Sequence, residues 1–273
     1  RRARGAEAGA GGHHARRGLH RYGGAGVDRL FSMIMIEEMA RLNASGPGFS
    51  LHSDIVAPYI AKYGTEAQKE HYLPPMAKGE MIGAIAMTEP GTGSDLQAIE
   101  AKARVEGDEL VLNGSKMFIS NGYMSDVVIV VCKIIDPDQE EEPRLSLVLV
   151  EAGTEGFTKE KPLKKMGQKA QDTCVLNFSD VRLPRTAILG GEAAIGKGIG
   201  MLFGELAWER LIIAIGAVAG AEFGVFAPVF DPGSKPGCGR GLEALRELVD
   251  VVDLPVLALG GIDAAQVAEC LVE

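Results

Sequence analysis

Cysteine is scarce in this chain. Cys132, Cys174, Cys238 and Cys270 stand far apart, with no Cys-x-x-Cys pair and no histidine beside them. That spacing indicates neither a zinc site nor a disulfide framework, so no metal is expected and a reducing compartment is the default, cytoplasmic or alternatively the mitochondrial matrix. Positive charge is short too: 28 Lys and Arg face 37 Asp and Glu, a net charge of -9. A nucleic-acid surface needs a basic face to neutralise phosphates, and none is evident. Long apolar runs are missing; the nearest, Leu211 to Ala221, contains two glycines and falls well short of the ~20 residues that span a bilayer. What is present is a 46% apolar composition over 273 residues, enough for a sizeable core in one or two domains.

Residues 1–21 hold six Arg, five Gly, five Ala and three His around the single apolar anchor Leu19. They cannot offset their ordering entropy by burial and are expected to be a disordered leader. Organelle-targeting peptides are Arg-rich but also Ser-rich, and this segment has no serine. Residues 22–80 read as helical. Leu30, Met33, Ile34, Met39 and Leu42 recur at helical spacing over Val27–Ala44 and predict a stripe facing a core. Thr65 with Gln68 predicts a capped helix from Glu66 to Met76, stopped near Pro74-Pro75. Residues 81–190 read as a small β domain with strands Ile82–Ala86, Lys102–Val105, Leu110–Leu112, Val127–Cys132, Leu145–Val150 and Val175–Phe178. The acidic run Asp136–Glu142 is expected to be a solvated hairpin loop. Helical periodicity returns over 191–222, with Ile199, Leu202, Phe203, Leu206 and Ile213 on one apolar face. Residues 223–273 alternate strand and helix (Phe223–Phe230, Leu242–Val252, Pro255–Gly261, Asp263–Glu273), the βαβα grammar of a parallel sheet or barrel.

Two segments carry chemistry. In Met87-Thr88-Glu89-Pro90-Gly91-Thr92-Gly93-Ser94-Asp95, Pro90 fixes φ, Gly91 and Gly93 admit close backbone approach, and Thr88, Thr92 and Ser94 bring hydroxyls beside backbone N–H groups. Such a loop suits a phosphate or pyrophosphate. A second loop, Asn113 to Gly122, brings the Phe118 ring close to the Ser120 hydroxyl. Together they point to a planar, phosphorylated cofactor.

With these segments placed, residues from about Tyr22 to Glu222 resemble the acyl-CoA dehydrogenases, most closely the long-chain type. The resemblance is carried by Tyr22-Gly23-Gly24-Ala25-Gly26, Ser45-Gly46-Pro47-Gly48-Phe49-Ser50, Tyr63-Gly64-Thr65-Glu66, both loops, Lys165-Met166-Gly167-Gln168-Lys169-Ala170 and Trp208-Glu209-Arg210. It implies FAD, with Ile85, Met87, Thr88, Gly93 and Ser94 along the flavin and its pyrophosphate. Phe118, Ile119 and Ser120 would lie at the isoalloxazine ring. It further implies that Ser94 and Arg210 meet the acyl-CoA and that Glu209 is the base taking the α-proton while the β-hydride goes to flavin N5. The product would be a trans-2-enoyl-CoA from a medium- or long-chain substrate. Glu205, one turn earlier, is expected to be a surface acid, and the bland alternative for Glu209 is a surface pair with Arg210 or Lys197. An electron-transfer flavoprotein as acceptor and a homo-oligomer are implied by family.

Residues 223–273 instead resemble thiamine phosphate synthase, a (β/α)8 barrel enzyme, through Val225-Phe226-Ala227-Pro228-Val229-Phe230, Ser234-Lys235, Gly241-Leu242-Glu243-Ala244-Leu245 and Leu257-Ala258-Leu259-Gly260-Gly261-Ile262. That likeness implies phosphate binding at Lys235 and Gly261, with Mg2+ only if a synthase site is complete. The expected class is therefore α+β and multidomain. It comprises a truncated dehydrogenase fold, in which N-terminal helices, a β-barrel-like domain over 81–190 and a first C-terminal helix over 191–222 precede a βαβα piece of a TIM barrel. Two alternatives stay open: a thiamine-phosphate-forming fragment, and a chimera that folds without holding flavin.

Overall fold

The computed structural model describes residues 20–44, 46–137, 143–221, 224–226, 229–230, 239–251 and 256–258. The chain divides between Ile215 and Gly216 into two compact units. The described part of the first opens on a short 3-10 turn, His20–Tyr22, and helix α1, Arg29–Arg41, whose N-terminus is capped by the Asp28 carboxylate accepting from Leu30 N–H at 2.9 Å. The predicted apolar stripe faces the core only in part: Met33 packs against it, whereas Leu30, Ile34 and Leu42 are exposed. Ser32 is the buried position, and Met33 and Ile36 pack beside it. The helix is turned by a polar contact, since the Ser32 hydroxyl donates to the buried Asp54 carboxylate at 2.5 Å.

Asp54 lies in a wide π-helical turn, Leu51–Val56, that runs directly into helix α2, Ala57–Tyr63. Helix α3, Glu66–Ala77, starts on the predicted capping box: Thr65 accepts from Gln68 N–H while the Gln68 side chain accepts from Thr65 N–H. It runs through Pro74 and Pro75 to Ala77, one residue past the predicted end at Met76. Leu73 and Met76 are buried there, and the Pro74 and Pro75 carbonyls accept from Lys78, Glu80 and Met81, so the last turn is held by packing and closed by the following backbone.

The β domain is one seven-stranded sheet. Its strands are β1 Gly83–Ala86, β2 Lys102–Glu106, β3 Glu109–Ser120, β4 Val127–Ile135, β5 Arg144–Glu151, β6 Phe157–Lys159 and β7 Thr173–Pro184. β4 is the hub: β1 and β2 pair with successive parts of it in parallel, and β5 runs antiparallel to it. β2, β3, β7 and β6 continue the sheet antiparallel. β4 reads as a near-continuous β-branched run because it is buried over almost its whole length. β6 was not anticipated; it is three residues long, with Phe157 stacked on Phe178 of β7 at 4.9 Å. Asp136–Glu142 joins antiparallel β4 and β5, and 138–142 lie outside the described residues.

The expected second loop is in fact the end of a long strand. β3 stays paired with β7 to Ser120, with register shifts between Leu112 and Gly114 and between Lys116 and Ile119. A shift of that kind lets a strand keep its ladder while turning a side chain out of its regular direction.

Helix α4, Gly198–Ala219, brings a second correction. Phe203 and Ile213, expected on its buried face, are 61% and 67% exposed, whereas Met201, Leu202, Glu205, Trp208, Glu209 and Ile212 are buried. Two carboxylates thus occupy the inner face. Trp208 fixes that rotation: its indole N–H donates to the Asp54 carbonyl at 3.1 Å and the Arg29 guanidinium lies 4.5 Å above its ring.

In the second unit, strands β8 Gly224–Phe226 and β9 Val256–Ala258 pair in parallel, with helix α5, Gly241–Val251, between them in sequence. The expected strand–helix–strand order and the parallel pairing are both present. Residues 223, 227, 228, 255 and 259–261 of the predicted strands lie outside the described residues, as does the expected helix Asp263–Glu273.

Candidate functional site

The Met87–Asp95 segment leaves β1 and closes a tight turn in which Glu89 and Thr92 exchange backbone hydrogen bonds of 2.9 and 3.1 Å. Pro90 and Gly91 form its tip. A Cβ added to Gly91 or Gly93 would meet nothing within 4 Å, and neither glycine has a positive φ. Neither the fold's backbone nor its packing requires glycine at these two positions. The open space leaves their backbone accessible from outside. Thr92 is buried and its hydroxyl donates to the Ala98 carbonyl at 3.1 Å, so it serves the loop rather than a ligand. Thr88 is half-buried and Ser94 exposed.

An ion pair invisible to the motif reading joins this turn to β3. The Lys116 ammonium, on a fully buried side chain, donates to Glu89 Oε1 at 2.8 Å and to the Met87 carbonyl at 3.0 Å. Glu89 also accepts from the N–H groups of Glu100 and Ala101 at 2.7 and 3.0 Å. Burial pushes the Glu89 carboxyl up, but these three donors outweigh it and hold the group below its ordinary value. Met117 N–H donates to the Thr88 carbonyl at 2.9 Å. The two segments that carry the cofactor candidates are therefore one clamped unit.

Phe118 stands at its edge. It has φ +59°, in the left-handed region, and is 61% exposed, while its neighbour Ile119 is buried opposite Cys174 and Ser120 is half-buried opposite Thr173. A bulky residue in that region is uncommon and costs about 1 kcal/mol. The strand bears this cost at the bulge where it turns an aromatic ring outward, the reverse of ordinary core packing. Ile85, by contrast, is buried in β1 and pairs with Ile129 of β4. The side chains of Phe118 and Ser94 are thus open to solvent, and those of Ile85 and Ile119 are not.

The third component lies between α2 and α4. Glu209 is buried, and Tyr59, itself inaccessible to solvent, donates its hydroxyl to Glu209 Oε1 at 2.9 Å. Burial raises the Glu209 carboxyl above the usual carboxylate range; the Tyr59 hydrogen bond and Arg210 lower it, and Glu205 raises it further. Glu205 is no surface acid: it is 2% exposed, pairs with Lys62 at 2.7 Å and accepts from the Tyr63 hydroxyl at 3.2 Å. The four-residue spacing puts both acids on one helical face, and donors from α2 make that burial tolerable. Glu209 bonds Tyr59 rather than a surface partner; Arg210 is exposed. A buried carboxylate kept partly protonatable suits a general base. Among the described residues no cluster of three or more His, Cys, Asp or Glu could hold a metal ion, and no helix is long and apolar enough to cross a membrane. Lys235 and Gly261 lie outside the described residues.

Two family descriptions match the chain: the acyl-CoA dehydrogenase N-terminal domain over residues 4–80 and the acyl-CoA dehydrogenase middle domain over residues 84–181. The long-chain specific acyl-CoA dehydrogenase, mitochondrial, of Sus scrofa is 53% identical over 203 residues, 74% of this chain and 46% of that protein. An acyl-CoA dehydrogenase from Geobacillus kaustophilus superposes with a TM-score of 0.73 at 42% identity, over 80% of this chain and 57% of that one. An acyl-CoA dehydrogenase from Bacillus anthracis complexed with FAD gives 0.70 at 35% identity, over 80% and 36%. The chain spans about half the length of the curated relatives it matches.

Proposed function

Because this chain carries the N-terminal and middle domains of the acyl-CoA dehydrogenase family, we propose that it supplies the flavin-facing part and the base of an FAD-dependent enzyme. The reaction converts a medium- or long-chain acyl-CoA to the trans-2-enoyl-CoA. The observation that carries this reading is Glu209: a buried carboxylate, raised by burial and held by one phenol hydroxyl. FAD, when bound, supplies the acceptor for the β-hydride. The residues fit such a group. Phe118 presents an exposed aromatic face against which a flat ring can stack, and Gly91 and Gly93 leave open space where a pyrophosphate needs backbone N–H groups. Met87, Thr88, Gly93, Ser94, Ile119 and Ser120 are the further cofactor positions in this reading, Ile85 acting from within the core. Ser94 and Arg210 are assigned to the acyl-CoA.

Glu209 takes the α-proton of the thioester. Its Oε1 is occupied by Tyr59, which leaves Oε2 to accept that proton. Glu205, neutralised by Lys62, adds less opposing charge than a lone acid would. An electron-transfer flavoprotein as electron acceptor and a homo-oligomeric assembly belong to the same proposal. Residues 223–273 are read as a separate α/β piece of the kind that the resemblance to thiamine phosphate synthase implies; the parallel β8–β9 pair favours this.

The test is optical. The purified chain supplied with FAD is expected to show a visible flavin spectrum that bleaches with long-chain acyl-CoA, and Glu209→Gln to keep the spectrum and lose the bleaching. A chain that takes up no flavin overturns the reading in favour of a folded but non-catalytic piece. Undiminished bleaching in Glu209→Gln removes Glu209 from the base role.

A further inference from the structure

We propose that Tyr59 is the positioning residue of the Glu209 carboxylate: its hydroxyl fixes one oxygen, and helix α2 as a whole carries the donors that let α4 keep two acids inside. The inference rests on Glu209 being the base, and it concerns a residue on a different helix, 150 positions away in sequence. Its grounds are geometric. Tyr59 is fully buried, and the tyrosine ring has no freedom to swing its hydroxyl elsewhere while Tyr63 tilts against it at 5.9 Å. The donors and acids match turn for turn. Tyr59 reaches Glu209, and Lys62 and Tyr63, about one turn on, reach Glu205, one turn back along α4.

The charged and titratable groups that face Glu209 are Tyr59 from α2 and Glu205 and Arg210 from its own helix. Tyr59 is faced by Glu209, Glu205 and Tyr63, and burial with those acids drives its hydroxyl well above the ordinary tyrosine value, so it stays a donor throughout the working range. A hydrogen bond given to the ionised carboxylate favours that form. Losing it must therefore raise the pH at which Glu209 ionises. A residue that merely filled space would not move that midpoint.

The chain with 13C-labelled glutamate side chains provides the measurement, the resonance lost in Glu209→Gln giving the assignment. In Tyr59→Phe, which keeps the ring, the Glu209 midpoint is expected to rise by about one pH unit. In Tyr63→Phe, which touches Glu205, it should move much less. An unchanged midpoint in Tyr59→Phe, or an equal shift in both variants, overturns the proposal. Incorporation of 3-fluorotyrosine in place of tyrosine is a second route that needs no folded Phe variant: a more acidic phenol donates more strongly, so the midpoint should fall, and a rise or no change again counts against it. In flavin-loaded protein, the acid limb of bleaching should follow the same shift. The two readings fail separately. A shifted midpoint in a chain whose wild type never bleaches flavin sinks the dehydrogenase reading alone, whereas bleaching with an unmoved midpoint sinks only the role of Tyr59.

Discussion

Replacing Lys116 by Met is the sharpest perturbation of the two clamped segments. The change removes an ammonium that is 0% exposed and leaves the Glu89 carboxylate, 6% exposed, without its partner at 2.8 Å. Breaking a buried pair from one side costs about 3–5 kcal/mol, because a charge remains uncompensated. Here Glu89 keeps the two N–H donors of Glu100 and Ala101, so Lys116→Met should fall at the lower end, about 3 kcal/mol. Glu89→Leu should cost more: it strands the Lys116 charge and also orphans those two amides. The pH dependence follows from the depressed Glu89 carboxyl. Its contribution is complete above the unfolded carboxylate value of about 4.3 and is lost as pH falls through the lower folded value, so the wild-type advantage over Glu89→Leu should shrink in acid. Urea unfolding of the three proteins, compared at unchanged m-value, measures each cost. A loss below about 1 kcal/mol in both variants, or a smaller loss in Glu89→Leu than in Lys116→Met, would refute the reasoning.

Phe118→Gly should relieve the left-handed strain and raise stability by about 0.5–1 kcal/mol while weakening flavin binding; flavin titration with unfolding of the apo chain checks both halves, and a destabilised variant counts against it. Gly93→Ala should leave stability unchanged because its Cβ enters open space, and lower flavin affinity. Gly83→Ala should cost about 1–3 kcal/mol, since its Cβ would come within 2.6 Å of Val56 Cγ1 and 2.9 Å of Met76 Cε. Burial pushes the Cys132 and Cys174 thiols up to about 12 and about 11, so in the native chain at pH 8 both should resist alkylation mapped by mass spectrometry and react only on unfolding.

Strand positions were legible because β-branched alternation acts locally, and the Thr65 cap because its two bonds span three residues. The rotation of α1 and α4 was not. Hydrophobic periodicity assumes that the apolar face turns inward, yet α4 exposes Phe203 and Ile213 and buries Glu205 and Glu209, since partners on α2 reward the acids. Those partners are far away in sequence. Phe118 was found through its motif rather than its backbone, because left-handed φ at a bulky residue has no local signature. The Glu89–Lys116 pair was not legible either: the register shift between Leu112 and Gly114 breaks the alternation that would have placed Lys116 inside, and its partner lies 27 residues away.

The inward turn of α4 has a thermodynamic consequence that separates function from stability. Glu209 ionises in the folded chain only above the ordinary carboxylate value, because burial opposes its charge more than Tyr59 and Arg210 support it. Below the unfolded value of about 4.3 both states are protonated and nothing is lost. As pH rises, the unfolded chain releases this proton first, so the native state binds more protons and stability falls until pH passes the folded value. That loss is present above the unfolded value and is complete once pH has passed the folded one. Glu209→Gln cannot ionise and keeps an oxygen to accept from Tyr59, so it should be more stable than wild type near pH 7 and lose that advantage toward pH 4. Paired unfolding curves at the two pH values decide it. A Gln variant that is equally or less stable at both would mean that Glu209 carries no burial cost, and with it would go the physical reason for reading this carboxylate as a poised base.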